Sequence, residues 1–81
     1  MAKETPVTAT LTELEPGNEA TIVEITGAGG TGQRMLAMGL TPGTLVRVDR
    51  IAPLGDPIEI VVRGYRLVVR KVEAAQIRVK W

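Results

Sequence analysis

From position 45 onward, apolar residues recur at every second position, the spacing of strands that bury one face. Val46 and Val48 alternate with Arg47 and Asp49 in a strand expected over residues 45–51. Ile58, Ile60 and Val62 alternate with Glu59, Val61 and Arg63, and Leu67 and Val69 alternate with Arg66, Val68 and Arg70. Gly64-Tyr65 between these two runs fits a two-residue type II′ hairpin turn. After a short turn over residues 73–76, a last strand places Ile77, Val79 and Trp81 on one face and Arg78 and Lys80 on the other. The inward phase of these runs makes Val48, Ile60, Val62, Leu67, Val69 and Val79 the expected core.

The first half is less regular. Residues 1–10 mix Lys, Glu, Thr and Pro without periodicity and read as a flexible arm, with an added edge strand left open. Leu11 and Leu14 are spaced for one helical or 3₁₀ turn that Pro16-Gly17 closes, which places a strand at residues 20–25. A glycine-rich segment, residues 27–32, leads into a helix of two turns at most over residues 33–38, with Gly39 at its C′ position. Pro42-Gly43 forms a second turn, and residues 52–57, with two prolines and a glycine, form a loop. The sum is a mainly all-β fold: a small barrel or sandwich of about five antiparallel strands, with one short helix between strands 1 and 2.

Composition narrows the chemistry. With 81 residues there is room for one domain, taken here as residues 11–81. Tyr65 and Trp81 are the only aromatic residues, so Val, Ile, Leu and Met must fill the interior. The absence of cysteine removes disulfides and thiolate metal sites and suits a reducing compartment. No apolar run approaches the roughly 18 residues of a membrane span, and the N-terminus lacks a signal-peptide core, so a soluble cytoplasmic protein is expected.

Catalytic motifs fail on inspection. Gly27-x-Gly29-x-x-Gly32 has the spacing of a dinucleotide fingerprint, yet everything after residue 51 reads as hairpins rather than the alternating strands and helices of that fold. Gln33-Arg34 stands where a P-loop requires Lys and Ser or Thr. Without His or Cys, a nucleophile and base would have to come from Asp49, Asp56, Glu59 and Glu73, which look like solvated charges. The expectation is therefore no enzyme, no cofactor and no resident metal site; iron, if handled at all, is held by a partner.

Two binding surfaces remain. Residues 1–40 carry two basic and five acidic residues, a balance of −3, whereas residues 41–81 carry eight and four, a balance of +4. Arg47, Arg63, Arg66, Arg70, Arg78 and Lys80 on outward strand positions could form a face for nucleic acid or anionic lipid headgroups, but Glu59 interrupts the stripe and aromatic stacking platforms are lacking, so an ordinary solvated exterior is the favoured reading. The competing surface joins Arg34, Met35, Met38 and Leu40, crowded in and just past a helix too short to bury them all, with Leu54, Gly55, Asp56 and Pro57 in the stiffened loop; that the helix instead plugs one end of the barrel is an equal and partly compatible reading.

The combination Leu11-x-x-Leu14-x-Pro16-Gly17, Arg34-Met35-x-x-Met38-Gly39-Leu40-x-Pro42-Gly43, Ala52-Pro53-Leu54-Gly55-Asp56-Pro57 and Leu67-Val68-Val69-Arg70-x-x-Glu73-Ala74-x-x-Ile77 resembles the FeoA family of ferrous iron transport proteins. The resemblance implies an SH3-like barrel that works by protein–protein docking with FeoB, a bacterial inner-membrane ferrous iron transporter, as a regulator or stabiliser. It also implies a cytoplasmic location, with membrane association only through that partner. A similar barrel ends the iron-dependent repressors, but the helical DNA-binding domain of a repressor has no counterpart in this sequence.

Overall fold

The computed structural model describes residues 8–26 and 30–81. The sequence-based expectations for the rest of the N-terminal arm and for Gly27 to Gly29 lie outside the described residues. Among the described residues six strands form one antiparallel sheet in the order β1-β6-β2-β3-β4-β5. They are β1 (Thr8–Thr10), β2 (Glu19–Ile25), β3 (Leu45–Ile51), β4 (Ile58–Val62), β5 (Tyr65–Val69) and β6 (Ile77–Lys80). A 3₁₀ turn at Leu11–Glu13 and the helices α1 (Gly30–Ala37) and α2 (Lys71–Ala74) complete the molecule, an SH3-like barrel.

Two β-bulges curl the sheet. Val23 is the extra residue of β2 against β6, between the pairs Ile22↔Val79 and Glu24↔Arg78. Asp49 is the extra residue of β3 against β4, between Val48↔Ile60 and Arg50↔Glu59. A bulge bends its strand and increases local twist, which lets a short sheet wrap around a single core. That core is aliphatic throughout: Val46, Val48, Ile60, Val62, Val69, Ile77 and Val79 are fully buried, joined by Leu11, Ile22, Met35 and Leu40 from the first half.

Four details depart from the sequence-based picture. Thr8–Thr10, expected in the flexible arm, pairs with β6 as an edge strand, so there are six strands rather than five. The β4–β5 turn is centred on Arg63-Gly64, because Val62 pairs with Tyr65; positive φ at both central residues (52° and 87°) makes it type I′. Trp81 lies beyond β6 and is half exposed instead of packing inward, and Leu67 is only partly buried. The segment expected as a turn near residue 73 is the helix α2.

Candidate functional site

Helix α1 ends in a complete Schellman motif. The Leu40 N–H donates to the Met35 carbonyl (3.1 Å) and the Gly39 N–H to the Leu36 carbonyl (3.0 Å), with Gly39 at φ +94°. This fold-back inserts Leu40 beside Met35, and both side chains are completely buried. They were candidates for an exposed contact surface; the capping geometry and the helical phase place them in the core instead, and Leu36, 45% exposed, is a large apolar residue that α1 leaves outside. Met38 is half buried against the core. Its carbonyl accepts the Tyr65 hydroxyl (2.9 Å), which pins the helix exit to the β4–β5 hairpin.

Arg34 projects from α1 and forms an ion pair with Glu73 of α2. Expected as a solvated charge, Glu73 is only 5% exposed. Its other carboxylate oxygen, Oε1, accepts the N–H of Arg70 (2.9 Å), the N3-to-Ncap half of a capping box. One carboxylate thus starts α2 and fastens it to α1. The spacing Arg70-x-x-Glu73 was the available sign of that helix start.

The loop between β3 and β4 is attached to the same helix. Asp56 Oδ1 accepts the N–H of Lys71 (3.0 Å), and the loop is closed internally by Gly55 N–H to Ala52 carbonyl (2.7 Å) and Ala52 N–H to Pro57 carbonyl (3.1 Å). Leu54 at its tip is 91% exposed, and Gly55 has a positive φ of 86°. Val72 on α2 is 66% exposed, a residue absent from the sequence-based surface. The structure therefore links Arg34 to residues 54–57 through α2, and this linked set displays Leu36, Leu54 and Val72.

Part of the arginine face is compensated by interleaved carboxylates. Arg47 and Arg66 both approach Asp49 (3.8 and 3.3 Å), Arg66 also approaches Glu59 (3.9 Å), and Arg78 pairs with Glu24 (3.1 Å). A phosphate-tracking surface needs uncompensated positive charge, and these contacts reduce it. A separate shallow depression of about 470 Å³, lined by Thr41, Pro42, Gly43, Thr44, Leu45 and Arg63, is crossed by a hydrogen bond from Arg63 Nη2 to Thr44 Oγ1 (3.3 Å). Among the described residues no group of three or more His, Cys, Asp or Glu side chains is arranged to hold a metal ion. No helix among them is long and apolar enough to cross a membrane.

An aliphatic SH3-like barrel bearing a short helix after β2 and a proline-braced β3–β4 loop defines the structural class, small SH3-like domains, and leaves the function to be argued from the site. Residues 9–80 match the FeoA domain family, and the chain belongs to it. It is 37% identical over 70 residues to the Fe(2+) transport protein A/Fe(2+) transporter FeoB fusion protein of Porphyromonas gingivalis, a match covering 86% of this chain and 8% of that protein's length. It superimposes on a FeoA-like protein from Clostridium acetobutylicum with a TM-score of 0.83 and 33% identity, covering 94% of this chain and 87% of the other. Against zinc-complexed FeoA of Stenotrophomonas maltophilia, described as a procaryotic SH3 domain protein, the TM-score is 0.77 at 26% identity, covering 86% and 87%.

Proposed function

We propose that this chain is a non-enzymatic accessory subunit of a ferrous iron transport system, docking on the cytoplasmic side of a FeoB-type membrane transporter. The observation that carries the reading is the Porphyromonas gingivalis relative, in which a segment like this one is covalently joined to such a transporter. Fusion of two chains keeps them at high mutual concentration, an advantage when the separate chains act in contact. The docking surface in this reading is the α1–α2–loop assembly: Arg34 and Met38 with Leu54, Gly55, Asp56 and Pro57, extended by Leu36 and Val72. The α2 start and the β3–β4 loop are fixed by backbone hydrogen bonds, so presenting these residues costs little ordering on binding. Iron is cargo of the transporter in this scheme and is not coordinated by the barrel.

The test is co-purification of the transporter from membranes with tagged wild-type protein and with Leu54→Glu and Leu36→Glu variants, each first shown to be folded by circular dichroism. Association is expected to weaken about tenfold or more in both variants, and to change less in Arg63→Glu. Full association by folded Leu54→Glu and Leu36→Glu would exclude this surface. Failure of the wild-type protein to co-purify would exclude the partner.

A further inference from the structure

Among the described residues the sheet ends on β5, which is paired through β4 alone. Val62 and Tyr65 flank a two-residue turn and form a hydrogen-bonded pair, so alternation turns the backbone groups of Tyr65, Leu67 and Val69 toward β4. The N–H and C=O groups of Arg66 and Val68 therefore point away from the sheet. Arg70, the next residue in that phase, is already used by α2: its N–H donates to Glu73, and its carbonyl accepts the N–H groups of Glu73 and Ala74 (both 2.9 Å). All five β4–β5 pairs run in continuous register, without the bulges that interrupt β2 and β3. The opposite edge strand, β1, has three residues, whereas β5 has five and carries an exposed Val68 (59%).

An open, regular, apolar edge is a template for strand addition, and its flanking charges decide what can pair there. A second copy is disfavoured: antiparallel pairing of β5 with itself about Val68 sets Arg66 opposite the Arg70 position of the other copy, twice. Like charges directly opposite one another destabilise a strand pair. Arg66 is 65% exposed, and both of its carboxylate contacts are made by Nη1, one of the three guanidinium nitrogens.

We propose that the β5 edge binds an extended partner segment of the pattern acidic-x-apolar-x-acidic, added antiparallel, with the apolar residue opposite Val68 and the carboxylates opposite Arg66 and Arg70. Each directly opposed pair shares a face of the sheet, which is why the three recognised side chains sit two residues apart. The intervening positions face Leu67 and Val69 and favour small or apolar residues. The proposal is independent of the transporter reading, because it concerns a different edge and specifies chemistry rather than a named partner.

The probe is a blocked peptide of sequence SETVTES, titrated to millimolar concentration into nitrogen-15-labelled protein. The Arg66 and Val68 amides are expected to shift and to exchange with solvent about tenfold more slowly when the peptide is bound. Two control peptides carry the argument without altering the protein. SKTVTKS reverses the charges, and N-methylation of the central valine removes the donor facing Val68; both are expected to leave the two amides unshifted. Leu54→Glu is expected to bind the parent peptide as wild type does. The proposal is overturned by absence of shifts with the parent peptide, by equal binding of either control, or by sedimentation showing a dimer that protects the same amides.

Discussion

Replacing Gly39 with alanine combines two costs at one position. The residue sits at φ +94°, and an added Cβ would lie 2.9 Å from the Tyr65 hydroxyl oxygen, inside any ordinary contact. Holding an L-residue in left-handed backbone costs about 1–2 kcal/mol. The hydroxyl must retreat, and the weakening of its hydrogen bond to the Met38 carbonyl adds about 1 kcal/mol. The expected total is about 2–3 kcal/mol, out of a stability that for a domain of this size is of order 4–12 kcal/mol. Urea unfolding followed by circular dichroism measures it, and Tyr65→Phe separates the parts. In the Phe background no hydroxyl opposes the Cβ and no hydrogen bond remains to lose, so Gly39→Ala should cost only the 1–2 kcal/mol of backbone strain. Gly43→Ala is the control: it has a similar φ of +91° and nothing within 4 Å of the added carbon, so it should show the strain cost in either background. If Gly39→Ala costs the same with and without the Tyr65 hydroxyl, the contact between the helix exit and the hairpin has been misjudged.

Two further changes test the core and the helix junction. Ile60→Ala removes a fully buried side chain from the middle of β4 and is expected to cost about 2–5 kcal/mol in urea unfolding; an unchanged midpoint would contradict its placement. Glu73→Ala strands the Arg70 N–H and removes the partner of Arg34, so a loss of about 1–3 kcal/mol is expected by the same measurement. Glu73→Gln retains an acceptor for that N–H and should lose less, and equal losses would show that the capping contact contributes nothing.

The strand framework of the second half was readable from sequence because Val, Ile and Leu recur at every second position there, mostly alternating with charged residues. This is why Val48, Ile60, Val62, Val69 and Val79 were placed correctly inside. The hairpin turn was misplaced by one residue, since Gly64 fits the first position of a type II′ turn as well as the second position of a type I′ turn. Pairing of Val62 with Tyr65 decided between them. The bulges at Val23 and Asp49 leave no local signature, because they are set by the register of the neighbouring strand. Helix α2 has four residues, too few for any periodicity. The candidate surface was half readable: Leu54 and Arg34 are exposed as expected, whereas Met35 and Leu40 are buried by the fold-back after α1, a tertiary outcome that apolar crowding alone cannot distinguish from display.

The position of β6 has a bearing on how the chain is made. The last strand in sequence is interior in the sheet, inserted between β1 and β2, and it supplies Ile77 and Val79 to the core. During synthesis, β2 through β5 can form a meander as they emerge, but among the described strands β1 lacks its neighbour and β2 keeps an open edge until β6 has emerged. With about 5–20 residues added per second, the nascent barrel spends that interval without its closing strand. Emergence of β6, rather than the appearance of any earlier hairpin, then sets the moment at which the domain becomes stable, and removal of β6 alone should leave a chain that holder chaperones bind and proteases cut.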